Sequence, residues 1–169
     1  MKFYTSYIII VAILGLILLY SYYYFGSTSN NVQQLWGKVK GNLLNIYYIS
    51  MLLSALGFLF LFYYLLVSKS LNNDQINKLF ISLILILVMS MIWMPLSLYY
   101  LKNKKTIYKY LIYLVLFIVA ISILYFILVL NSVQEVNFKT SKLLAMIGMI
   151  YFFIHCFFFD FLLWTHNFF

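Results

Sequence analysis

His155, Cys156 and Asp160 are ionisable side chains inside an otherwise apolar stretch, residues 143–164. Such groups are costly in hydrocarbon, so each needs either a partner or a task. Cys156 and Asp160 stand at the i, i+4 spacing and share a helix face. At 100° per residue, His155 and Asp160 fall roughly 140° apart, on different faces. A lone histidine here could ligate haem or a metal, relay a proton, or bond to a neighbouring helix. Zinc normally takes four ligands, and the apolar stretches supply no second His and no second carboxylate. Bis-histidine haem ligation fails likewise, because His166 lies in the tail. The expected role is therefore an interhelical hydrogen bond, worth about 1 kcal/mol or less in a bilayer. Asp160 is only about 6 Å of rise from Trp164 and is placed to reach interfacial water. A single Cys excludes an internal disulfide and any paired-thiol redox motif.

A second group of candidates surrounds the one proline, in Ser90-Met-Ile-Trp93-Met-Pro95-Leu96. Proline removes a backbone donor and crowds the Met91 carbonyl four residues back, so a kink that opens space beside Trp93 is expected. Leu96-x-x-Tyr99-x-x-Lys102 also fits a sterol-contact pattern, which is common wherever a Tyr-rich run ends in Lys. No catalytic triad, P-loop or dinucleotide fingerprint is present, which argues against an enzyme.

The elements that must carry these residues are plain. Apolar runs occupy 7–25, 43–67, 79–101, 110–130 and 143–164. About 20 helical residues cross a hydrocarbon core about 30 Å thick. Hydrophobic residues make up 66% of the chain and charged ones 8%, against roughly 45–50% and about 25% in soluble domains. The expected fold is all-α: one integral membrane domain, 1–169, of five transmembrane helices joined by loops too short to form a soluble catalytic domain. The first run resembles a signal peptide, but no small-x-small cleavage site follows it, so it is read as a retained span. Tyrosines gather at the run ends, at headgroup level.

The net charge of +8 comes wholly from Lys in loops and ends. That points to the lipid bilayer and its anionic headgroups as partners, and not to nucleic acid. The cluster Lys102–Lys109 places its loop in the cytoplasm, with the N-terminus outside and the C-terminus inside. Ser50, Ser54 and Gly57 line one face of the second run, and Ser141, Ala145 and Gly148 line one of the fifth. Small residues let helix backbones approach, within the chain first and in a homo-oligomer second.

Ser90-x-x-Trp93-x-Pro95-Leu96 resembles the third-helix motif of the translocator protein/tryptophan-rich sensory protein (TspO) family. The family has Asn at Ser90 and a Phe pair at Ser97-Leu98. Tyr48-x-x-Met51 is similar to its second-helix Tyr-x-x-Met, and Asp160-x-x-x-Trp164-x-x-Asn167 to its closing Asn-x-x-x-Trp-x-x-Asn. The fifth-helix Pro-Tyr pair of the family is missing at Gly148-Met149. The resemblance implies a five-helix pocket for a porphyrin, a sterol or a similar apolar ligand, near Trp93 and beneath the first connection. Its candidate ligand-binding residues are Ser90, Trp93, Pro95, Tyr48, Met51, Asp160 and Trp164; His155 joins them as a polar group within the fifth run, and none is a metal ligand. Two other functions fit the composition: an assembly subunit of a membrane complex, and a small transporter or channel component using His155, Cys156 and Asp160.

Overall fold

Each apolar run is helical in the computed structural model, which describes residues 2–29, 32–68 and 70–169. Asn30, Asn31 and Lys69, all assigned to connections from the sequence, lie outside the described residues. α1 spans Lys2–Thr28, α2 Asn42–Val67, α3 Asn73–Asn103, α4 Thr106–Ser132 and α5 Lys139–Ile154. α5 continues as a π-helical segment, His155–Trp164, and a last α-helical turn, Thr165–Phe168. No strand occurs among the described residues. Among the described residues, five stretches are long and apolar enough to cross a membrane. The chain is an all-α, multi-pass membrane protein.

The helices outrun the apolar runs because polar residues serve their ends. The Asn72 side chain accepts from the Gln75 amide at 2.8 Å, and the Gln75 side chain accepts from the Asn72 amide at 3.1 Å. This reciprocal cap starts α3 six residues before its apolar run. α3 ends at Lys104, whose φ of 53° marks a left-handed cap. The Lys142 ammonium donates to the carbonyl oxygens of Val133 at 2.6 Å and Asn131 at 3.3 Å, serving the C-terminal end of α4. At the end of α1, the Ser27 and Thr28 hydroxyls bond back to the Tyr24 carbonyl. The helix therefore runs through Gly26, where the sequence suggested a connection.

Packing runs α1 on α3, α3 on α4, α4 on α5 and its π segment, and α5 on α2. α1 is held by named contacts: Tyr7 stacks on Phe80 at 5.0 Å, its hydroxyl donates to Asn77 at 3.0 Å, and Val11 is buried. The two small-residue faces meet each other. A Cβ on Gly57 would stand 2.6 Å from the Gly148 carbonyl oxygen, and one on Gly148 the same distance from the Gly57 Cα. Only hydrogen fits between these backbones, so the stripes serve the α2–α5 contact within the chain.

Loops gather at two ends. At one, the Glu135 carboxylate accepts from the hydroxyls of Tyr64, Ser68 and Ser70 at 2.7–3.1 Å, and from the Asn137 and Phe138 amides at 3.2 Å. Burial pushes this carboxyl up, but the bonds from Ser68, Ser70, Phe138 and Tyr64 outweigh it and hold it at about 2. Glu135 thus clasps Ser68 and Ser70 to segment 133–138. At the other end, a 3₁₀ turn, Val32–Trp36, lies against α3 and the terminal turn. The Trp164 indole donates to the Leu35 carbonyl at 2.8 Å, and the Lys38 amide to the Asn167 carbonyl at 3.0 Å. Gly37, at φ +54°, makes this possible, since a Cβ there would collide with the Asn167–Phe168 backbone.

Candidate functional site

Tyr47 and Ser50 of α2 face the π segment, because the α2–α5 contact through Ser54 and Gly57 sets the phase of the helix. The Ser50 hydroxyl lies 2.9 Å from His155 Nδ1 and accepts from the Tyr151 hydroxyl at 3.1 Å. Tyr47 donates to the Asp160 carboxylate. Its ring meets His155 edge-on at 5.4 Å and Phe159 at 5.7 Å, and His155 stacks on Phe159 at 5.6 Å. His155 Nε2 is 3.7 Å from Asp160 Oδ1.

This last distance corrects the expectation that His155 and Asp160 occupy different faces. That expectation assumed α-helical winding. The segment is π-helical, with i→i+5 bonds and a wider turn, so residues five apart come together on one side. Asp160 also meets a buried tyrosine hydroxyl and not simply interfacial water. The expected interhelical bond from His155 is present, and its partner is Ser50.

Tyr48 and Met51 lie one residue round from Tyr47 and Ser50. They are 48% and 40% exposed and face away from the cluster. Tyr48 touches the ring of Trp36 at 5.1 Å, outside the helical contact. The small-residue stripe carried the correct phase: Tyr47 stands three residues before Ser50 and continues it.

Ser50, His155 and Asp160 follow the serine–histidine–carboxylate order of acyl-transfer sites. Ser50, however, is 2% exposed, wedged between two helices, with its oxygen engaged by Tyr151. An acyl carbon has no room to approach it. Among the described residues no group of three His, Cys, Asp or Glu is arranged to hold a metal ion.

Around Pro95, α3 remains one helix. The Ser97 hydroxyl donates to the Trp93 carbonyl at 2.8 Å, and Tyr22 of α1 donates to the Ser90 carbonyl at 3.0 Å. These bonds flank the Met91 carbonyl that proline deprives of its donor. Trp93 is half-buried and lines neither concavity beside Pro95. It packs between Tyr22 at 6.1 Å and Trp164 at 5.1 Å, and its buried indole N–H has no partner. Trp164 itself is 1% exposed. Two concavities border the proline. One, of about 340 Å³, is lined by Phe25, Thr28, Ser29, Pro95, Leu98, Tyr99 and Lys102. The second, of about 350 Å³, is lined by Met91, Ile92, Pro95, Leu96 and Tyr99.

The structure therefore separates the candidates into two places. His155, Asp160 and Cys156 share the α2–α5 cluster, with Tyr47 and Ser50 added. Pro95 lines an open groove between α1 and α3 and a second on α3 alone, while Ser90 and Trp93 line neither and Trp164 is hydrogen-bonded to Leu35 of the first connection. No protein-family model, curated protein or solved structure matches this chain.

Proposed function

We propose that this five-span membrane protein binds an anionic amphiphile, such as a tetrapyrrole carboxylate or a lipid-like acid, in the groove beside Pro95. The observation that supports this reading is the layout of the 340 Å³ groove. Phe25, Pro95 and Leu98 give it an apolar floor, and Thr28, Ser29 and Lys102 give its rim hydroxyls and a cation. Ligand sites are about 300–1,000 Å³, mostly apolar, with a few convergent polar groups. A sterol fits the floor but has no charge for Lys102. The reading needs no covalent chemistry, and it keeps the ligand class that the TspO-like motif implies while moving it off the face of Trp93.

Protoporphyrin added to the purified protein in detergent quenches tryptophan fluorescence saturably under this proposal. Leu98→Trp fills the floor and abolishes the saturable component, and Lys102→Gln weakens binding of the dicarboxylate. Quenching that never saturates, or that Leu98→Trp leaves unchanged, refutes the groove.

A further inference from the structure

A buried histidine–aspartate pair remains that the groove does not use. We propose that His155 and Asp160 hold one exchangeable proton between them in the membrane interior, reached only from the end of the bundle that the first connection covers.

The geometry gives the pair a continuous set of hydrogen-bonding neighbours. Tyr47 donates to Asp160, Asp160 lies 3.7 Å from His155 Nε2, Ser50 meets His155 Nδ1 at 2.9 Å, and Tyr151 donates to Ser50 at 3.1 Å. Asp160 is the open member, with a side chain 23% exposed against 5% for His155. Beyond Tyr151 the path stops. The Gly57 and Gly148 backbones are in contact there, and Leu61, Ala145 and Met149 are fully buried. A proton arriving on the Asp160 carboxylate passes to His155 Nε2 and goes no further than the Ser50 and Tyr151 hydroxyls.

No fixed charge competes for that proton. Among the described residues the ion pairs are Lys78–Asp74, at the far end of α3, and His155–Asp160 itself. The titratable groups that sense Asp160 are Tyr22 from α1, Tyr47 from α2, and Cys156 on its own segment. α4 presents Tyr113 and Phe117 to Phe161, and its Lys109 ammonium lies over the Phe169 ring at 4.8 Å, past the end of the π segment. The 3.7 Å gap exceeds a hydrogen bond, so transfer needs the carboxylate to swing by less than about 1 Å. Two neighbouring states of one proton, sealed on one side, make a storage site and not a channel. A π-helical segment is a common carrier of such functional groups.

The composition makes the test unusually direct. The chain has three acidic side chains. Asp74 is exposed, 2.6 Å from Lys78, and Glu135 is held at about 2 by its donors, so neither lies beside the pair in the interior. Infrared spectra of the full chain in lipid nanodiscs, between about pH 5 and 9, should show a protonated-carboxyl band that titrates. Asp160→Asn should remove it, and His155→Gln should move its midpoint by about one pH unit or more. The wild-type His155 ring, followed by ¹⁵N NMR, should titrate with the same midpoint, a readout that does not depend on either variant folding. In liposomes the protein should exchange protons with one face and carry no sustained flux. Absence of the band throughout, an unmoved midpoint in His155→Gln, or a sustained flux each overturns the proposal. None of these outcomes bears on the groove, whose readout is ligand quenching.

Discussion

Replacing Gly148 by Ala should loosen α2 from α5 and, through that contact, pull Ser50 away from His155. The new Cβ would stand 2.6 Å from Gly57 Cα and 2.7 Å from its carbonyl oxygen. Carbon contacts prefer about 3.5–4.0 Å, so the helices must part by about 1 Å. Neither obstacle is the flexible end of a side chain, so a rotamer change cannot absorb it. Overpacking of this kind costs about 1–3 kcal/mol. The same displacement stretches the Ser50–His155 bond from 2.9 Å beyond hydrogen-bonding range, a further loss of about 0.6 kcal/mol in a bilayer. The expected total is about 2–4 kcal/mol. Equilibrium unfolding in mixed micelles measures it, with Gly15→Ala as the control. Gly15 has nothing within 4 Å of its would-be Cβ, so alanine there adds helix propensity of up to about 1 kcal/mol. The reasoning fails if Gly148→Ala is as stable as the control. It also fails if Gly57→Ala and Gly148→Ala add without coupling, because both substitutions relieve their clash by the same helix separation.

Glu135 sets a pH dependence of defined sign. Its folded carboxyl is at about 2 against an ordinary 4.5, so the clasp stabilises fully above about pH 4.5 and is lost as pH falls towards 2. The shift corresponds to at most about 3 kcal/mol, and water around the thin loop cover brings it to about 1–2. Glu135→Gln should flatten the acid limb of the unfolding curve, and an unchanged limb rejects the clasp. Tyr47→Phe should destabilise by about 1–3 kcal/mol because it strips a half-buried carboxylate of its donor, whereas Tyr48→Phe should be neutral in the same unfolding assay; equal effects would contradict the helical phase described. Trp164→Phe should free the first connection, seen as faster amide exchange over residues 32–41, with protection in 106–132 unaltered.

The membrane class, the number of helices and most of their extent were legible in the run lengths, because hydropathy over about 20 residues is a local property. The small-residue stripes were equally legible and marked the right faces of α2 and α5. The first turn of α3 was readable in hindsight from Asn72 and Gln75, a capping pair placed ahead of the apolar run. Tyr47 was within reach too, since it extends the Ser50–Ser54–Gly57 stripe by one turn. The family-like Tyr48-x-x-Met51 pattern marks the neighbouring, exposed face of α2. Glu135 gave no sign, since its three hydroxyl donors come from segments more than sixty residues away.

The sequence by itself thus determined that five helices cross a membrane and which faces could touch. What pairs with what was decided by the tertiary structure. Whether His155 and Asp160 meet depends on a change from i→i+4 to i→i+5 bonding, and no residue in His155–Trp164 announces that change. Ser50 and Tyr47 hold it from another helix, more than a hundred positions away. The groove likewise depends on which side of Pro95 is filled, and Tyr22 from α1 and Trp164 from the last segment fill the side of Trp93. Periodicity can give a residue's face, but only packing supplies the group opposite it.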